Sequence, residues 1–281
     1  AAATVDMRNY YPNPQLFNNY YLEGINNADP ENPTRSVLWF GKESDDGPVF
    51  KLYNSAPESP TKDCHWDLLS WADDKLTYSQ THDGCDGHNK DVTYSTPIQL
   101  LPRYWDDSAP WTANGSTPVT TTKFDGSTGC TGTNTWTATI LGRETIYGRQ
   151  AIHWRTEQAV SWTTGADSPN CVADSTLNWQ EDYYLIDDLQ VKSYEGLSTA
   201  PGLFRTVGGN LDVFEESGQH DWDITMTEWR LLPWASPLSI PGVPATGKDE
   251  HSPELFIIVV SIITFVLLLS LAQKRKVQKH S

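Results

Sequence analysis

The chain has 281 residues, with 36 acidic against 20 basic side chains and a formal charge of −16. That balance counts against nucleic acid as a partner, because phosphate binding needs clustered Lys and Arg. Twelve Trp and twelve Tyr, beside abundant Thr, Asp, Asn, Gly and Pro, make a composition of strands and turns, not of a helical bundle.

Taken in order, Ala1-Ala2-Ala3 suits a chain from which a signal peptide has been removed. Residues 1–35 read as irregular, and residues 36–233 as one extracytoplasmic β domain. SVLWFGKE (36–43) and GPVFKLYN (47–54) are strand candidates. His65–Ser70 and Lys75–Gln80 suggest a hairpin turning at Asp73-Asp74. The loop 81–91 crowds His82, Asp83, Cys85, Asp86, His88 and Asp91, residue types that bind calcium or zinc. The spacing is not that of an EF-hand, and Gly, Asp and Asn are also what a tight turn uses, so no metal site and no cofactor are assigned. Asp91–Leu101 returns to strand, and Asn114-Gly115-Ser116 fits an N-glycosylation acceptor at Asn114.

Thr135–Glu157 carries the clearest pattern. Thr135, Thr137 and Thr139 alternate with Trp136, Ala138 and Ile140, and Ile152 and Trp154 alternate with His153 and Arg155. A period of two places one set on each face of a strand. Trp136, Ile140, Ile152 and Trp154 are expected on the core side, with Arg143, Arg149, Arg155 and Glu157 solvated. Further on, Trp179, Glu181, Tyr183 and Leu185 share a face, Gly202–Val207 and Asn210–Phe214 suggest a hairpin about Gly208-Gly209, and Asp221–Arg230 alternates again. About ten to twelve strands are expected, with little helix.

Residues 234–254 are a Pro- and Gly-rich stalk. Leu255–Ala272 runs without a charge, and as a helix it would rise about 27 Å, enough to cross a bilayer core. The tail 273–281 is basic and would stay cytoplasmic, which puts the β domain outside a cell membrane. Val243-Pro244-Ala245-Thr246-Gly247, followed by that apolar span and basic tail, resembles the sorting signal of sortase substrates. The resemblance implies cleavage between Thr246 and Gly247 and transfer to a cell wall; the other expectation is a retained single-pass anchor.

The four cysteines, Cys64, Cys85, Cys130 and Cys171, form an even set that reads as two disulfides in an exported chain. Of the three pairings, Cys64–Cys85 with Cys130–Cys171 closes the more local loops.

An apolar segment at Pro97–Trp105, the hairpin Thr135–Trp154 with Gly142-Arg143-Glu144 and Gly148-Arg149-Gln150, and Tyr183–Val191 together resemble the envelope proteins of the LolA, LolB and RseB type, over about residues 92–195. The resemblance implies a large curled antiparallel sheet, a half-barrel whose concave face holds an apolar ligand or a partner. It carries over no catalytic residue.

These readings favour a non-catalytic binding or interaction module for an apolar ligand, a glycan or a protein partner, with Trp136, Trp154, Trp179, Tyr183 and Trp222 as the ligand-facing aromatics. A structural subunit of a membrane complex or cell-surface layer is the first alternative. A glycoside hydrolase is the second, using carboxylates among Glu181, Asp182, Asp221, Asp223 and Glu228 beside Trp179, Trp222 and Trp229.

Overall fold

A computed structural model describes residues 3–11, 20–42, 49–53, 65–72, 74–84, 90–164, 173–193 and 196–231. The chain divides into two compact units, Ala1–Val243 and Pro244–Ser281, and the second lies wholly outside the described residues.

The first unit begins with β1 (Thr4–Asp6) and a 3-10 turn at Met7–Asn9. Seven further strands follow: β2 (Tyr20–Asn26), β3 (Thr34–Lys42), β4 (Val49–Tyr53), β5 (His65–Ala72), β6 (Lys75–Asp83), β7 (Lys90–Pro102) and β8 (Tyr104–Asp106). The long strands are β9 (Trp111–Lys123), β10 (Thr128–Ile146), β11 (Arg149–Thr164), β12 (Thr176–Ser193) and β13 (Gly196–Asn210). A short helix, α1 (Leu211–Ser217), precedes β14 (Trp222–Leu231).

Twelve of the strands close into one barrel in the order β10-β11-β12-β13-β14-β2-β3-β4-β5-β6-β7-β9. It is an up-and-down meander sealed by one join between strands distant in sequence, β2 to β14, from Asn26↔Ile224 to Tyr20↔Leu231. The expected half-barrel is therefore corrected to a closed barrel. An open sheet would leave β14 with a row of unpaired N–H and C=O groups, and β2 covers it. The partner escaped notice because it lies in the segment expected to be irregular. YYLEGIN shows no clean alternation because both its faces are buried: Leu22 belongs to the barrel core, and Tyr21 to a second cluster with Val37, Trp39, Phe50 and Leu52 on the other face of β2–β4.

The β10–β11 hairpin turns at Tyr147 and Gly148, both at positive φ (49° and 75°), the two-residue geometry whose twist matches flanking strands. Leu141 is the extra residue of a bulge between Ile140 and Gly142. The expected second hairpin is replaced. Gly208 and Gly209 lie inside β13, and Leu211–Ser217 is helical instead of extended. Asn210 caps that helix by accepting from the Asp212 N–H, and Gly218 ends it at φ 71°.

One end of the barrel is closed by the N-terminal segment. β1 pairs with β8, and Met7 N–H donates to the Arg103 carbonyl at 2.8 Å. Met7 and Tyr11 enter the core, where Tyr11 meets Phe40, Trp154 and Tyr183 edge-on at 5.5–6.2 Å. Tyr10 hydrogen-bonds Asp187, and Arg143 bridges Asp107 and Asp187, each at 3.0 Å. Arg143 was expected to be solvated; it ties down the cap.

No helix among the described residues is long and apolar enough to cross a membrane; α1 has seven residues, against the roughly 20 that a span needs. The reading as a single-pass membrane protein, with the membrane as a partner, the domain outside and the tail cytoplasmic, is corrected accordingly. The stalk, residues 255–272, the tail and Val243–Gly247 lie outside the described residues. So do Cys64, Cys85 and Cys171. Cys130 is fully buried and disulfide-bonded, to a cysteine outside the described residues, and no disulfide joins two described cysteines. The expected pairings therefore fall outside the described residues.

Candidate ligand site at the barrel mouth

Register decides which side chains share the lumen. Trp136 faces Gln158, which faces Trp179; Trp154 faces Tyr183; Thr156 faces Glu181, which faces Gly208, which faces Trp222. Cross-strand partners lie on one face of a sheet, so all five aromatics named from the sequence point inward. They divide by depth. Trp154 and Tyr183 are buried and stacked at 4.0 Å, part of the filled core. Trp136, Trp179 and Trp222 are half-buried nearer the end opposite the N-terminal cap.

Two glycines make room for these rings. A Cβ on Gly115 would stand 2.8 Å from the Trp136 ring, and one on Gly208 would stand 2.9 Å from Trp222 and 2.6 Å from the Gln180 carbonyl. The Trp222 ring thus reaches across β13 to Trp179, with centroids 5.3 Å apart and planes tilted by 44°. Trp222 Nε1–H donates to Thr206 Oγ1 at 3.3 Å. Gly208→Ala should displace either the ring or the β12 backbone and cost about 1–3 kcal/mol, read as a lowered thermal midpoint.

Beneath the tryptophans lies a polar layer of which the sequence reading singled out only Glu181. Lys51 is 3% exposed, and its Nζ is 3.9 Å from Glu181 Oε1. The ammonium also sits over the rings of Tyr53 at 4.8 Å and Tyr183 at 5.6 Å. Tyr53 donates to Asp67 at 2.7 Å, and Thr81 donates to the other oxygen at 2.9 Å. His65 stands edge-on to Tyr53 at 4.6 Å and 3.8 Å from Asp83. Burial, and then the charges of Glu181 and Asp67, push the phenols of Tyr11 and Tyr53 well above the ordinary tyrosine range. Burial does the same for Tyr78 and Tyr183. The signal for this layer was present in VFKLY, but apolar residues on both sides of Lys51 hid which face turned inward.

The outward face carries a separate network. His153 is buried, hydrogen-bonded through Nε2 to Asp182 at 2.6 Å, with Nδ1 standing 3.1 Å from a Glu144 oxygen. Asp182 also accepts from Arg155 at 2.7 Å and Gln180 at 2.9 Å. Burial works to raise the Asp182 carboxyl, but the hydrogen bonds from His153 and Arg155 outweigh it and hold it below the usual range. Arg205 grips Asp223 with two bonds of 2.6 and 2.7 Å. A small pocket lies on this face between β12, β13 and α1, beside Asp182, Leu211, Phe214 and His220.

The carboxylates considered for sugar hydrolysis are thereby split. Glu181 points into the lumen, Asp182 and Asp223 are engaged by arginines outside, Asp221 accepts from the Asn210 N–H, and Glu228 pairs with Lys192 and Arg230. The structure does not bring them together as an opposed pair. In the loop 81–91, His82 lies stacked between Trp66 and Phe124 and bonds Asp91 at 2.7 Å, while Cys85, Asp86 and His88 lie outside the described residues. No group of three metal-ligating side chains converges among the described residues. Asn114 is exposed near the start of β9.

Set against family models, curated proteins and solved structures, the chain matches none.

Proposed function

We propose that the barrel is a non-catalytic binding module that takes a glycan at its mouth. The observation that carries this reading is the half-buried Trp179–Trp222 pair, held open by Gly208, with Trp136 on the same inward face. Aromatic faces receive the C–H faces of sugar rings, while a few fixed polar groups orient the hydroxyls. Gln158 lies between Trp136 and Trp179 in register, and His65, Asp67 and Glu181 stand on the same lumenal side. An apolar ligand fits less well, because the apolar half of the lumen is already filled by Met7, Tyr11 and Trp154.

The test is titration against a panel of oligosaccharides, followed by tryptophan fluorescence and calorimetry. At least one sugar should quench the fluorescence on saturation, and Trp179→Ala should weaken its binding about tenfold or more, equivalent to about 1.4 kcal/mol. Unchanged affinity in Trp179→Ala, or a panel without a single binder, would overturn the proposal.

A further inference from the structure

Lys51 and Glu181 sit on strands that are not neighbours. Going round the barrel from β12 to β4, four strands intervene, β13, β14, β2 and β3. Their side chains nonetheless meet across the lumen, with Nζ 3.9 Å from Oε1. That separation is too long for a hydrogen bond, so the pair lacks both a short contact and bulk water. Lys51 is 3% exposed and the Glu181 side chain 12%. The pair is thus held out of water between the walls of the barrel, with the rings of Tyr53 and Tyr183 against Lys51 Nζ.

From this geometry we infer that Lys51 and Glu181 condense to an amide, an internal isopeptide bond that staples opposite walls of the barrel. Thr206 Oγ1 donates to Glu181 Oε1 at 2.7 Å and so polarises the carboxyl as a carbonyl. Lys51 passes a proton to the Glu181 carboxyl, and Nζ attacks Cδ, forming one N–C bond. One C–O bond breaks, and the hydroxyl leaves as water with a proton from the amine. Nothing is oxidised or reduced, and no co-reactant is needed. A second carboxylate stands on the neighbouring strand. Asp67 is the register partner of Lys51 on β5, and it is held by Tyr53 and Thr81. Asp67 takes the proton from the attacking amine and returns it to the departing hydroxyl. Tyr11, Tyr53 and Tyr183 surround the layer and limit water, which would favour the reverse hydrolysis.

The readout is the mass of the intact, reduced and denatured chain, followed by sequencing of its proteolytic peptides. The expected result is a mass lower by one water and a branched peptide joining Lys51 to Glu181. Lys51→Arg should restore the full mass, and Asp67→Asn should leave a larger uncondensed fraction. A wild-type chain of full mass would overturn the inference, whether or not either variant folds. A water loss that persists in Lys51→Arg, or a branch from Lys51 to Asp67, would overturn it as well. Trp179→Ala leaves the condensing pair intact, so the sugar titration and the mass readout fail separately.

Discussion

Trp154→Ala lowers the unfolding free energy by about 3–5 kcal/mol, the largest loss expected from a single change in this barrel. The side chain is fully buried, stacked on Tyr183 at 4.0 Å and met edge-on by Tyr11 at 5.5 Å. Truncation leaves a cavity bounded by β11, β12 and the N-terminal segment, three pieces that cannot all collapse into it. The indole N–H meets no acceptor among the described residues, and such an orphaned donor costs about 1–3 kcal/mol. Trp154→Phe removes that donor along with part of the ring, so the two effects oppose. The phenylalanine variant should therefore lose less than half as much as the alanine variant in chemical denaturation. Equal losses would show that packing at this site is looser than the stacking implies.

Asp182→Ala comes second, at about 2–3 kcal/mol. Removing one partner of a buried ionic group costs about 3–5 kcal/mol when the remaining charge has no escape. Here the Arg155 side chain is 34% exposed and can turn to water, whereas His153 is 11% exposed and cannot. The cost thus falls below the fully buried range. The carboxyl is depressed in the folded state, so its contribution is complete above the ordinary carboxylate pKa and is lost as pH falls through the lower folded value. Asp6, Glu23 and Glu228 are depressed in the same direction by Arg8, Arg35 and Lys192, and lose their contributions in the same acid window. Wild type should consequently lose stability on acidification below the carboxylate range, and Asp182→Ala should lose less over the same interval. Parallel acid curves for the two proteins would mean that Asp182 does not contribute through its charge.

The contrast between these two residues bears on how much could be read in advance. Trp154 and Asp182 lie on opposite faces of the same pair of strands, and the alternation from Thr135 to Glu157 separates the faces correctly. Alternation is a local property of a half-buried strand and survives any global arrangement. It says nothing about depth along the barrel axis. Trp136 and Trp154 therefore looked equivalent, although one is half-buried toward the mouth and the other is stacked in the core. His153 followed the same logic: its outward position was legible, but the two carboxylates that bury it come from Glu144, beyond the bulge, and from Asp182 on the next strand.

The meeting of Lys51 with Glu181 was illegible for a different reason. They are 130 residues apart in sequence and join neither by strand pairing nor by a motif. They meet because the sheet closes, and closure depends on β2 reaching β14 across the length of the domain. That is a nonlocal pairing, whose entropic cost is met only by the assembled fold and leaves little trace in a short window.

By itself, the sequence determined the β class, the two faces of its central strands, a hairpin within Thr135–Glu157 and the inward direction of five aromatics. Each follows from spacing or from turn chemistry within a few residues. The tertiary structure alone decided that the sheet is a closed barrel and not a half-barrel, that the N-terminal segment caps one end, and that Gly208 makes room for a ring instead of a turn. It also placed a lysine and two carboxylates beneath the tryptophans. Those features depend on which strand edges find each other and on what fills the space between walls, and both are properties of the whole chain.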